Sequence, residues 1–124
     1  MKTTLKNILT LTTVCWAAAT WAAEPAKLPK LIDLGADKCI PCKLMAPILE
    51  GLKKEYAGKM DVEFIDVWVN RDAGKPYGVE MIPTQIFFDA EGKELFRHTG
   101  FFAKEDILGK WKELGVDLAA TEKK

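Results

Sequence analysis

The chain has 124 residues, which is enough for one domain and too few for two. Its 18 basic and 18 acidic side chains cancel, and 48% of its residues are hydrophobic. Nucleic-acid binding and electrostatic steering of an acidic substrate both need an excess of one sign of charge. We therefore expect one globular domain and no nucleic-acid partner.

The first 22 residues differ in kind from the rest of the chain. Lys2 and Lys6 accompany an apolar run, Ile8–Ala19, which small residues follow. This pattern is typical of a secretory signal peptide, and the run is short for a transmembrane helix. We expect cleavage after Ala22 and a periplasmic location, with an uncleaved membrane anchor as the alternative. Cleavage removes Cys15 and leaves two cysteines in an oxidising compartment.

Periodicity next predicts a strand followed by a helix. Residues 23–30 indicate a linker, and Leu31–Leu34 indicates a short buried strand with one acid, Asp33, inside it. From Cys39 to Tyr56 apolar residues recur at helical spacing, and Pro41 suits the first turn of that helix. The two cysteines therefore lie where a strand leads into a helix.

The remaining elements complete an α/β pattern. We predict a second strand at Val62–Val69, a loop with a short helix at 70–77, a third strand at Thr84–Phe88, a hairpin turn ending at Gly92, a fourth strand at Lys93–His98, a helix around Ile107–Leu114 and a tail at 119–124. The order βαβαββα predicts a four-stranded mixed sheet, with one parallel pair joined by a crossover and helices on both faces. Trp68 and Trp111 are interpreted as packing residues.

The cysteine pair carries the chemistry. At a helix N-terminus, unpaired backbone N–H groups and the helix dipole favour a thiolate, and Lys38 and Lys43 add positive charge. We expect Cys39 to be the exposed attacking thiol and Cys42 to be the more buried resolving thiol. One alternative is half of a zinc site, for which His98 lies far along the chain and is interpreted as a solvated strand-end residue. The other is a static disulfide, whose small loop adds little stability. We expect neither a metal nor a cofactor.

The chain from about Leu31 to Leu114 resembles the thioredoxin family. The stretch Cys39-Ile40-Pro41-Cys42-Lys43, with Asp33 six residues earlier, resembles that family's active-site helix. Tyr77–Thr84 resembles its cis-proline loop, and Gly92 and Gly100 fall at its usual glycine positions. The resemblance implies a minimal thioredoxin-like fold over residues 31–118, without the first strand and helix of full-length thioredoxin.

The resemblance also implies residue roles. Cys39 resembles the nucleophile and Cys42 the resolving thiol. Pro83 resembles the cis-proline opposite the disulfide, which leaves the backbone of Ile82 free to pair with an extended substrate; without the resemblance it would be an ordinary strand-start proline. Asp33 resembles the buried aspartate that takes a proton from the resolving thiol, and burial would raise its pKa. The alternative is a strand-end acid partly in water.

Several positions depart from the family pattern. Gly35 and Lys38 stand where tryptophans are usual, and the lysine that commonly pairs with the buried aspartate would fall near Val62. Glu63 is either a second proton carrier or a residue facing a polar edge. The implied substrate-binding residues are Ile40, Pro41, Ile82, Pro83, Gly100 and Phe101. At least one residue of the Phe101–Phe102 pair is expected in the core.

These features predict a periplasmic protein-disulfide reductase. Proline before the second cysteine and the absence of histidine between the cysteines favour reduction over oxidation. The expected partners are proteins with disulfides and a membrane-embedded thiol reductase that restores the dithiol, and a monomer is the default. The alternatives are a disulfide oxidase or isomerase and a copper(I)-binding metallochaperone.

Overall fold

The computed structural model describes residues 27–119. The predicted signal peptide, the linker up to residue 26 and the tail from residue 120 lie outside these residues. The described chain contains strands β1 (Lys30–Gly35), β2 (Asp61–Asp66), β3 (Thr84–Phe88) and β4 (Glu94–Thr99), helices α1 (Ile40–Glu55), α2 (Arg71–Gly74) and α3 (Lys104–Glu113), and a 3-10 turn (Lys75–Tyr77) after α2. This order confirms the predicted βαβαββα arrangement.

The four strands form one mixed sheet in the order β2-β1-β3-β4. Strand β1 pairs in parallel with β2 and antiparallel with β3, and β3 pairs antiparallel with β4. Parallel strands need a crossover connection, which α1 supplies. The mixed sheet is therefore confirmed, with β1 and β3 as its central strands.

Alternation along β1 divides the core between the two faces of the sheet. Leu31 packs with α1 and α3, whereas Ile32 and Leu34 face the side that carries α2. Gly74 of α2 lies against Val67 on that second face. The larger core comprises Leu31, Met45, Leu49, Leu52, Met60, Phe87, Ile107, Trp111 and Leu118. Helices thus cover both faces, as predicted.

The residues around Cys39 favour the start of helix α1 at this point of the chain. Cys39 is the N-cap residue with extended backbone angles, and a proline follows within the first turn, where no helical N–H is lost. The buried residues Cys42, Met45, Leu49 and Leu52 form one face of the helix, as the periodicity predicts. Among residues 27–119, no helix is both long and apolar enough to cross a bilayer.

Strand β2 ends three residues earlier than the sequence predicts. The carboxylate of Asp66 accepts hydrogen bonds from the backbone N–H groups of Trp68 (2.9 Å) and Val69 (3.0 Å), which turns the chain out of the sheet. Trp68 is consequently 56% exposed, so its interpretation as a packing residue is wrong. Trp111 is fully buried, as predicted.

Candidate active site

A disulfide joins Cys39 to Cys42 at the start of α1, with their Cα atoms 5.2 Å apart. Cys39 is the N-cap residue and is partly exposed, whereas Cys42 lies in the first turn and is 3% exposed. A protein substrate therefore has access to the sulfur of Cys39 before that of Cys42. This difference is the one expected between an attacking and a resolving cysteine.

Gly35, the last residue of β1, allows α1 to lie close to the sheet. A Cβ atom at this position would lie 3.2 Å from Cys42 Sγ and 3.1 Å from Cε2 of Phe64, tighter than ordinary van der Waals contact. The tryptophan expected here from the resemblance would therefore displace the helix or the ring of Phe64. The change to glycine has a structural reason: β2 supplies the aromatic ring beside Cys42 instead.

The register of the sheet places Pro83 next to this point. Leu34 pairs with Thr84, and one further step sets Gly35 opposite Pro83. The Ile82–Pro83 peptide bond is cis, and Pro83 is buried. Gly100 N–H donates to Pro83 O at 2.7 Å. The structure thus brings the cysteine pair, residues 82–83 and Gly100 together at one edge of the sheet.

The remaining substrate-binding candidates differ in exposure. Ile40 is 76% exposed and Phe101 is 48% exposed, and Pro41 is also on the surface. Phe102 instead packs inward, because its ring lies 6.3 Å from that of Phe87 and its N–H donates to a core methionine sulfur. Of the Phe101–Phe102 pair, therefore, Phe102 is partly buried against the core and Phe101 is available to a partner.

Asp33 is fully buried in β1, and within the part of the chain that the structure describes its side chain has one polar partner. Gln85 Nε2 donates to Asp33 Oδ1 at 2.7 Å, whereas Asp33 Oδ2 has no hydrogen-bond partner among residues 27–119. Burial raises the pKa of Asp33 to about 6, and the hydrogen bond from Gln85 opposes this rise. The alternative of an acid partly in water is wrong. A carboxyl group with a pKa near 6 can exchange protons at neutral pH.

Glu63 does not belong to this site. It pairs in register with Ile32, and both residues point to the face of the sheet opposite α1. Its carboxylate forms an ion pair with Lys30 at 3.7 Å, in which both side chains are more than 40% exposed. The hypothesis of a second proton carrier is therefore wrong, and the ion pair contributes little stability.

Two residues of this region were missed from the sequence. The sequence pattern predicts only a strand at Gln85, although a polar residue directly before the apolar run Ile86–Phe88 is a signal that could identify it. The pattern likewise places Asp66 inside the predicted strand Val62–Val69 without a role of its own. Its Oδ2 accepts the N–H of Asp37 at 3.0 Å, so it ties the loop before the cysteines to the end of β2. These backbone hydrogen bonds, first of all that of Asp37, lower the pKa of Asp66.

His98 lies near the end of β4, is partly buried, and packs on one ring face. Its ring stacks on Phe102 with the centroids 4.1 Å apart, and its Nε2 lies 3.2 Å from Phe101 O. No group of three or more histidine, cysteine or acidic residues with metal-site geometry occurs among residues 27–119.

A dithiol at a helix N-terminus, with a titrating carboxyl group behind the inner cysteine, defines a thiol–disulfide oxidoreductase site. The family model of thioredoxin matches residues 12–113, and the chain belongs to the thioredoxin family. The match overlaps the predicted signal peptide from residue 12 to residue 22. The domain start at residue 31 and the cleavage after Ala22 both stay predictions.

Individual proteins agree with this assignment. The thioredoxin of Staphylococcus epidermidis is 41% identical over 78 residues, which cover 63% of this chain and 74% of that protein. The crystal structure of chloroplastic thioredoxin z has a TM-score of 0.64 at 26% identity, and the match covers 73% of this chain and 81% of the other. A malarial protein of known structure shares the fold, with a TM-score of 0.64 at 20% identity over 69% of this chain and 96% of that one.

Proposed function

We propose that this protein is an exported reductant of disulfides in other proteins. The observation that carries the proposal is the difference within the cysteine pair: Cys39 is accessible at the N-cap of α1, and Cys42 is buried behind it. An arrangement of this kind allows attack on an outside disulfide first and internal resolution second.

The reaction proceeds in two exchanges. The Cys39 thiolate attacks one sulfur of the substrate disulfide, which breaks that bond, forms a mixed disulfide and releases the first substrate thiolate. Asp33 then accepts the proton of the Cys42 thiol, and the resulting thiolate attacks Cys39 Sγ. The second substrate thiolate leaves, and the Cys39–Cys42 disulfide forms. Two electrons pass from the protein to the substrate.

The surface around Cys39 suits an extended substrate segment. Residues 81–83 precede β3 and lie outside the helices and strands, so the backbone of Ile82 is available for strand-like pairing. Ile40, next to Cys39 in the sequence, and Phe101, next to Gly100, both expose apolar side chains that a substrate can contact. A substrate segment bound there would present its disulfide to Cys39.

Reduction requires a source of electrons outside the cell interior. The N-terminal sequence supports export, and an exported dithiol is oxidised unless it is restored. We propose a membrane-embedded thiol reductase as the donor. The dipeptide Ile40-Pro41 between the cysteines contains no histidine to stabilise the thiolate further, which favours a reducing over an oxidising pair.

Reduction of insulin by dithiothreitol tests the activity. We expect the wild-type protein to accelerate precipitation of the insulin B chain and Cys39→Ser to leave it at the uncatalysed rate. Cys42→Ala should accumulate a mixed disulfide through Cys39, which mass spectrometry of trapped complexes would identify. Equal rates for wild type and Cys39→Ser would overturn the proposal.

The direction of electron flow has its own test. Equilibration with glutathione buffers gives the reduction potential, which is about −270 mV for a reductant such as thioredoxin and about −120 mV for a strong oxidant. A potential near the oxidising end would favour the oxidase or isomerase alternative.

Export is tested by fractionation of cells. The full chain expressed in a Gram-negative host should appear in the periplasmic fraction with Ala23 as its first residue. Recovery of the intact N-terminus from the cytoplasm would contradict the proposed location.

A further inference from the structure

We propose that Gln85 is a positioning residue for Asp33. Its side-chain amide holds Asp33 Oδ1 and thereby reserves Oδ2 for the proton that is exchanged with Cys42. This inference rests on the proposed function, because it assigns Gln85 to the resolving step of the same reaction. The amide donates its hydrogen bond to the carboxyl group of Asp33 and not to a cysteine, so we assign its effect to that carboxyl group.

The sheet brings the two side chains together. Asp33 of β1 lies directly opposite Gln85 of β3 in the antiparallel register, 52 residues away in the sequence. Both side chains are fully buried. The 2.7 Å hydrogen bond leaves Asp33 Oδ2 and Gln85 Oε1 without a partner among residues 27–119. The amide therefore contacts one carboxyl oxygen and leaves the other available.

Packing alone does not explain an amide at this position. Burying a polar group without a full set of hydrogen bonds is unfavourable, and Gln85 Oε1 is such a group. The neighbouring residues Ile86 and Phe87 are fully buried apolar side chains. Methionine would fill a similar volume in β3 without an unpaired oxygen. The contact that glutamine adds is the one to Asp33.

The free carboxyl oxygen belongs to a group placed near the inner cysteine. Asp33 precedes Gly35 by two residues on the same face of β1, about 7 Å along the strand. The position of a Gly35 Cβ atom is 3.2 Å from Cys42 Sγ. Cys42, which must lose a proton, therefore lies beside Gly35, and Asp33 is the next residue along β1 on the same face of the sheet.

Among residues 27–119, three other titratable groups lie on the same face of the sheet as Asp33 or pack against that face. Cys42 approaches from α1, and Asp66 lies opposite Gly35 on β2. His98 lies opposite Gln85 on β4 and stacks on Phe102. Any pH dependence of the resolving step must therefore be tested against His98 and Asp66 as well as Asp33.

The contact has a chemical consequence for the reaction. Donation of an N–H to a carboxylate favours the charged form, and this hydrogen bond limits the rise in the pKa of Asp33 that burial produces. Loss of the donor would raise that pKa above about 6. Less of the base would then be ionised at neutral pH, and the resolving step would slow first on the acidic side.

The experiment follows both exchanges with a small aromatic disulfide whose thiolate absorbs visible light. The first thiolate released reports attack by Cys39, and the second reports resolution by Cys42. We compare wild type with Gln85→Met from pH 5 to pH 9. On the acidic side, the pH at which the second phase reaches half its maximal rate (the midpoint) should rise by about one unit in Gln85→Met. The rate of the second phase at pH 6 should therefore fall about fivefold, and the rate of the first phase should not change.

A double-mutant cycle separates positioning from a structural effect. In an Asp33→Asn background, Gln85→Met should change the second phase less than about twofold, since its target is absent. Thr84→Val is the matched control, because it removes a buried hydrogen-bonding side chain from β3 on the opposite face. It should lower stability without moving the midpoint. His98→Gln and Asp66→Asn should likewise leave the midpoint in place.

Several outcomes would overturn the inference. They are an unchanged midpoint in Gln85→Met, an equal effect of that substitution in the Asp33→Asn background, or a midpoint that moves with His98→Gln or Asp66→Asn. Should Gln85→Met not fold, NMR of the wild-type protein decides: the Gln85 side-chain amide signals should titrate with a midpoint near pH 6, and constant signals would refute the contact. A wild type that releases no second thiolate would instead contradict the proposed function.

Discussion

Substitution of Asp33 by asparagine tests the energetics of the buried carboxyl group. Burial raises the pKa of Asp33 from its usual 3.8 to about 6. Between these values the folded protein binds the proton more tightly than the unfolded chain does. The contribution of this proton to the free energy of unfolding is fully present below about pH 4 and is lost as the pH rises through 6. A difference of about two units corresponds to about 3 kcal/mol.

Asparagine cannot ionise, and its side-chain oxygen still accepts the N–H of Gln85. We therefore expect Asp33→Asn to be more stable than wild type above pH 7, by up to about 3 kcal/mol, and to lose this advantage toward pH 4. The lowered pKa values of Asp66 and Glu94 give both proteins a pH dependence of the opposite sign. The difference between the two proteins therefore isolates Asp33.

Urea denaturation of the disulfide forms between pH 4 and pH 8 measures this difference and avoids titration of the thiols. Asp61→Asn is the matched control, since it makes the same change at an exposed position of β2. Because its side chain is exposed, Asp61→Asn should not reproduce the gain in stability that Asp33→Asn shows above pH 7. A difference between wild type and Asp33→Asn that is independent of pH, or a wild type that is the more stable protein at pH 8, would refute the reasoning.

Three further predictions follow from exposure and packing. In the reduced protein at neutral pH, iodoacetamide should modify Cys39 well before Cys42, because Cys42 is 3% exposed, and mass spectrometry distinguishes the two. Gly35→Val should lower the free energy of unfolding by about 1–3 kcal/mol, since a side chain there crowds Cys42. Met45→Ala should lower it by about 2–5 kcal/mol, and its exposed neighbour control Leu44→Ala by about 0.5 kcal/mol or less.

For each of these three predictions, one result would contradict it. Faster alkylation of Cys42 would reverse the proposed order of attack and resolution. Unchanged unfolding of Gly35→Val would mean that α1 does not depend on close contact with β1. Similar losses for Met45→Ala and Leu44→Ala would contradict the assignment of the buried face of α1.

Local patterns allowed most of the fold to be predicted. Apolar spacing located α1 and its buried face, and the strand Thr84–Phe88 agrees at both ends with β3. The end of β2 was misplaced because apolar residues continue after Asp66, and only the hydrogen bonds of its side chain end the strand. The pattern of apolar residues does not indicate that a side chain will accept these hydrogen bonds and end the strand.

The sequence by itself determined where a reactive cysteine pair lies and which helix presents it, because both depend on neighbouring residues. The tertiary structure alone decided the surroundings of the pair. Register sets Gln85 beside Asp33 across 52 residues and turns Glu63 to the opposite face. Packing leaves Phe101 exposed and sets its neighbour Phe102 against the core. Such choices depend on which strands become neighbours, and distant contacts between strands are not encoded in any local period of the chain.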